Sequence, residues 1–88
     1  MGLQALRKEI DSLDEELLRV LARRFSLLPK IAKLKREKGL SPKQFEREKE
    51  MVEARKALAK SIGIDETFSK RLFLLILEES LKIQQPKE

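Results

Sequence analysis

The chain has 88 residues, room for one domain (1–88) and one modest core, and it carries a net charge of +5 with 40% charged and 41% hydrophobic residues. It contains neither Cys nor His. That excludes disulfides, thiolate metal sites, cysteine nucleophiles and imidazole bases, so any chemistry must run on carboxylates, amines, guanidinium groups, amides or hydroxyls.

No apolar run approaches the roughly 18 residues of a membrane span, and the N-terminus lacks a signal-peptide core. The expectation is a cytoplasmic protein with no membrane association. Basic residues alternate with acidic ones and only four aromatics, all Phe, are available for stacking on bases. Nucleic acid is therefore not the expected partner, and the positive balance points to a small anion.

The first predicted element is long. Leu3, Leu6, Ile10, Leu13, Leu17, Val20, Leu27, Ile31 and Leu34 recur at alternating spacings of three and four, which predicts a helix over 3–38 ended by Gly39. Pro29 lacks an amide donor and clashes with the turn before it, so a kink is expected near residues 25–29. Ser41-Pro42-Lys43-Gln44 reads as a helix start, with Ser41 as N-cap, Pro42 at the first position and Gln44 closing a capping box, which predicts a second helix over 42–61. Asp65 is the expected N-cap of a third, whose Phe68, Leu72, Leu75, Ile76 and Ile83 carry it to about Gln85, with a frayed tail from Pro86 onwards. The fold class is all-α with three helices.

A helix over 3–38 is about 54 Å long at ~1.5 Å per residue, while a compact domain of this size has a radius of gyration near ~12 Å. One chain cannot cover it. Leu6, Ile10, Leu13 and Leu17 would face water, which predicts a twofold homodimer with antiparallel first helices.

Within that seam every residue is Leu, Ile or Val except Arg24. A guanidinium at a core position costs several kcal/mol unless it is paired, as an estimate of order ~3–5 kcal/mol for a broken buried pair shows. An arginine that pairs with a buried Glu or snorkels to the rim would satisfy it structurally, and a bound anion would satisfy it functionally. Lys35 lies three turns on, only ~20° round the helix and ~16 Å along it, so the two long side chains can converge on one ligand. Arg7 shares the seam but sits ~25 Å from Arg24 along the axis, and can join it only from a second subunit. Arg47 and Glu48 flank the inward face of the second helix. Ser80 and Gln84 lie one turn apart at the end of the third. Basic groups, a carboxylate, a hydroxyl and an amide on inward edges suit a small, dianionic, hydroxylated ligand.

The run Leu6-Arg7, Ile10-Asp11-Ser12-Leu13-Asp14, Leu17-Leu18, Leu21-Ala22-Arg23-Arg24, Ile31-Ala32-Lys33-Leu34-Lys35, Arg47-Glu48 and Glu79-Ser80 through Gln84 resembles the all-helical chorismate mutases. The resemblance covers nearly the whole chain. It implies an intertwined homodimer that rearranges chorismate to prephenate, on the way to phenylalanine and tyrosine, without metal or cofactor. It also implies roles. Arg7 from the partner subunit and Arg24 would hold the two substrate carboxylates with Ser80 assisting, Lys35 and Gln84 would donate to the ether oxygen, and Glu48, supported by Arg47, would accept from the ring hydroxyl. Two positions depart from the family pattern: Gln44 stands where many relatives have an aspartate, and Pro29 interrupts a helix that the family builds as continuous. Alternatives are an isochorismate pyruvate-lyase on the same fold and a non-catalytic helical interaction domain.

Overall fold

The computed structural model describes residues 2–85. The expected fraying beyond Pro86 lies outside them. Among the described residues the chain is wholly helical, in the order α1 (Leu3–Ser26), α2 (Leu28–Glu37), α3 (Phe45–Ser61) and α4 (Glu66–Gln84).

The expected single helix over 3–38 is thus two segments, divided at Leu27. There the ladder tightens, with the Leu27 amide donating to the Arg24 carbonyl at 3.2 Å, and Pro29 falls in the first turn of α2, where a missing donor is tolerated. The two segments nearly form one rod. The longest extent of the molecule is 55 Å, close to the ~52 Å of a straight helix over 3–37 at ~1.5 Å per residue.

Both glycine stops are Schellman motifs. Gly39 has φ 68°, its amide donates to the Arg36 carbonyl at 3.1 Å, and the Leu40 amide reaches the Lys35 carbonyl at 2.7 Å. Gly63, at φ 85°, ends α3 the same way, with Ile64 donating to Ala59 at 2.8 Å. Asp65 caps α4 as expected, its carboxylate accepting from the Phe68 amide at 2.9 Å.

The predicted start of the second helix is corrected. α3 begins at Phe45 rather than residue 42, with Gln44 as N-cap and no side-chain capping bond. The Ser41 hydroxyl accepts from the Lys43 amide at 3.3 Å, and the Gln44 side chain donates to the Ser41 carbonyl at 2.8 Å instead of closing a box. The competing interaction is tertiary: Lys35 Nζ donates to the Pro42 carbonyl at 2.7 Å, a bond that carbonyl can accept because the segment stays extended.

α3 and α4 form an antiparallel hairpin, and α4 also packs on α2. The core is small: Leu28 and Ala32 of α2, Met51, Val52 and Ala59 of α3, and Ile76 of α4. It is joined by three buried polar residues, Ser69, Ser80 and Gln84. The rod therefore has two apolar stripes. Leu28 and Ala32, with the half-buried Leu21 and Phe25, face α4, whereas the sequence-derived seam stands exposed along α1 at Leu3, Leu6, Ile10, Leu13, Leu17 and Val20. α1 has no buried residue at all, and Leu3, Ile10, Leu13 and Leu17 are between 56% and 63% exposed.

Candidate active site

The C-terminal end of α1, α2, the start of α3 and the end of α4 converge on a cavity of ≈ 190 Å³. Arg24, Lys35, Gln44, Arg47, Glu48, Ser80 and Gln84 all border it, and Leu28, Ile31, Met51, Leu77 and Leu81 make its apolar wall. Every site residue expected from the sequence is gathered here except Arg7. That residue lies exposed on α1, ~25 Å along the axis from Arg24.

Arg24 donates from Nη1 to Ser80 Oγ at 3.0 Å and from Nη2 to Met51 Sδ at 3.7 Å. Neither partner carries charge. Burial pulls its pKa below the ordinary guanidinium range, and the like charges of Arg55 and then Arg47 push the same way. The ion pairs among the described residues join Arg19 to Glu15, Lys43 to Glu48, Lys56 to Glu53 and Lys60 to Glu66, so no carboxylate there neutralises Arg24. Ser80 is fixed in turn, donating to the Ile76 carbonyl at 2.7 Å. Its hydroxyl proton is thereby occupied, and its lone pairs face the guanidinium.

Lys35 ties three elements together. Besides the Pro42 carbonyl it donates to Gln84 Oε1 at 2.7 Å, while Gln84 Nε2 donates to the Ser80 carbonyl at 3.3 Å. An ammonium has three protons and an amide nitrogen two, so each group keeps one donor for a ligand. Burial lowers the Lys35 pKa, opposed by the nearby charge of Glu48. Glu48 does not pair with its neighbour Arg47. Lys43 holds it, Nζ to Oε1 at 3.3 Å, leaving Arg47 exposed at the cavity rim.

Three contributors were not singled out in the sequence. Lys43 and the Pro42 carbonyl belong to a segment read there only as a helix start. Arg55, whose guanidinium carbon is 5.9 Å from the Phe73 ring centroid, follows Arg47 and Met51 at spacings of four, a signal that was present on that face of α3.

A larger groove of ≈ 310 Å³ runs along α3 and α4 over Val52, Leu74 and Leu77. Its Lys43 is paired with Glu48, while its Lys49 and Lys70 stand on exposed positions of α3 and α4, unlike the half-buried Arg24.

Chemically, the cavity offers a forked guanidinium, an ammonium and an amide donor around a small apolar chamber, with one carboxylate opposite. Such a cage can hold a compact dianion in one conformation and stabilise negative charge that develops between Lys35 and Gln84.

Residues 6–85 match the family model of chorismate mutase type II. A chorismate mutase of Methanocaldococcus jannaschii is 30% identical over 83 residues, covering 94% of this chain and 84% of that protein. A bifunctional chorismate mutase/prephenate dehydratase of Escherichia coli is 37% identical over 83 residues, and a T-protein of Haemophilus influenzae 37% over 79. This chain spans only 22% and 21% of the length of those two proteins.

Proposed function

Because this chain belongs to the chorismate mutase type II family, we propose that the cage around Arg24 binds chorismate and rearranges it to prephenate, an isomerase reaction early on the route to phenylalanine and tyrosine. The observation that carries this reading is Arg24 itself: a half-buried guanidinium with a hydroxyl and a thioether for partners, beside other cations and without a carboxylate among the described residues. Such a group is completed by an anion.

The Claisen rearrangement breaks one C–O bond and forms one C–C bond in a single concerted step. It requires no nucleophile, proton transfer, metal or redox cofactor, which suits a chain without His or Cys. Two things lower its barrier. Clamping both carboxylates selects the folded conformer in which the reacting carbons meet, and donors at the ether oxygen stabilise the charge that grows there as the C–O bond lengthens.

Arg24, steadied by Ser80, takes one carboxylate. Lys35 and Gln84 use their remaining donors on the ether oxygen. The mutual Lys35–Gln84 bond at 2.7 Å supports this assignment, because it holds both groups in place before substrate arrives. Glu48 accepts from the ring hydroxyl, with Lys43 and Arg47 lending positive charge behind it. Gln44, its side chain committed to the Ser41 carbonyl, serves as wall.

The second carboxylate falls to the partner subunit's Arg7 in an intertwined antiparallel homodimer. Support comes from the outward apolar stripe of α1, where Leu3 to Leu17 stand more than half exposed at every third or fourth position except Leu6, at 45%. Fully burying an exposed side chain of this kind contributes about 1.5–3 kcal/mol and burying these half-exposed ones a fraction of that each, summed over the stripe, so pairing two copies of α1 is favoured.

The test is to incubate the purified protein with chorismate and identify the product. Prephenate is expected, with kcat/KM lowered about 10²- to 10³-fold in Arg24→Ala. A parallel incubation with isochorismate tests the alternative: salicylate plus pyruvate from isochorismate, without prephenate from chorismate, would make the protein a lyase, and no turnover of either would leave a binding domain.

A further inference from the structure

On α3, Arg47, Met51 and Arg55 recur every fourth residue and so share one helix face. Met51 is buried and its sulfur receives the Arg24 guanidinium, which places Arg24 against the middle of that face, between the two other arginines. Arg47 borders the cavity at its rim, whereas Arg55 does not border it. Instead Arg55 is half-buried over the ring of Phe73, one helical turn beyond Met51 on the side away from Arg47, and none of the ion pairs among the described residues includes it. A third arginine beside two others carries a cost, since like charges repel. The cation–π contact with Phe73 holds the guanidinium at that place.

We propose that Arg55 is a positioning residue for anion binding, set one turn beyond Met51 to press the Arg24 guanidinium towards the cavity mouth and deepen the positive potential that a dianion meets there. The proposal rests on the reading of the cavity as a dianion site. It explains why charge is stored at a place no ligand touches. Repulsion within the cluster is relieved when a dianion enters, so the energy held there becomes affinity. The orientation is fixed on two sides, by Ser80 and Met51 holding the guanidinium tips and by Phe73 holding Arg55.

The experiment compares the parent with Arg55→Gln, Arg55→Met and Arg55→Lys. Met keeps an apolar stem over Phe73 without the charge, which guards against loss of fold in the Gln variant. Binding is measured calorimetrically with prephenate as a dianionic probe over a range of NaCl concentrations, alongside turnover of chorismate and the oligomeric state.

The expected result is binding weakened about three- to tenfold in the Gln and Met variants, with a shallower salt dependence, KM raised and kcat within about twofold, and all restored by Lys. Parent-like affinity and salt dependence in Arg55→Met, while the parent converts chorismate, would overturn the proposal and leave the mutase reading intact. Dissociation into monomers in both neutral variants would also overturn it, making Arg55 an interface residue. A parent that binds prephenate but converts no chorismate would sink the mutase reading alone, and the Arg55 comparison would still stand or fall on affinity. A parent that does not bind at all would overturn both.

Discussion

Arg24 marked itself in the sequence as the one charge in an apolar seam, and that much was legible because burial of an unpaired guanidinium is so costly. What the sequence left open was the partner. Ser80 and Met51, far along the chain, supply hydrogen bonds but no charge, so no ion pair satisfies Arg24 among the described residues, which supports the proposed anion site. Lys35 was legible from helix phase alone, but its bonds to the Pro42 carbonyl and to Gln84 were not, because they depend on where a loop and the end of another helix come to rest. Its lowered pKa has two consequences of opposite sign. Below the ordinary lysine value of 10.5 the folded chain gives up this proton more readily than the unfolded one, so stability rises with pH across the interval between the lowered value and 10.5, and the charged amine carries a cost at lower pH. The role proposed for Lys35 needs the charged amine, so activity should fall as pH rises through the lowered value. A rate profile for chorismate turnover is expected to show a basic limb beginning below pH 10.5, and in Lys35→Arg that limb should move to higher pH. An unmoved limb would remove Lys35 from the reaction.

At the scale of elements, local chemistry predicted the stop at Gly39 and the start at Asp65. Gly39 and Gly63 end their helices in left-handed conformations, and Asp65 caps α4, because each works through atoms a few residues away. The Ser41 box did not form, because Lys35 competes for the same segment from another helix. Pro29 in the sequence predicts a kink near residues 25–29. The structure places it in the first turn of α2, past a break at Leu27, where its missing amide interrupts least. The same periodicity that announced α1 also concealed a second stripe: Leu28 and Ala32 face α4, one position away from the seam that includes Leu27 and Ile31. A simple spacing rule does not separate two adjacent faces of one helix. Capping by Asp65 should be purely structural. Asp65→Ala is expected to cost about 1 kcal/mol, lowering Tm by roughly 4–8 °C while leaving kcat/KM of the folded protein unchanged, as thermal melts and kinetics on one preparation would show.

For the whole molecule, the sequence foresaw that one chain cannot cover its longest helix, and α1 accordingly buries nothing within the chain. Light scattering coupled to gel filtration should give the mass of a dimer, twice the 10.3 kDa of the chain, and Leu13→Asp with Leu17→Asp should reduce it to a monomer with little activity. Sequence and structure of a single chain leave Arg7 far from the cavity, so its role turns on assembly. The central claim, that a charged cage completed by a second copy rearranges chorismate, is tested most directly by mixing two inactive variants. Arg7→Ala and Arg24→Ala are unfolded together, refolded as a mixture and assayed for prephenate formation. If each site takes Arg24 from one chain and Arg7 from the other, a mixed dimer has one site with both lesions and one with neither. Random pairing then restores about one quarter of the parent activity. If each chain built its own site, every site would carry a lesion, and a mixture no more active than its components would contradict the account.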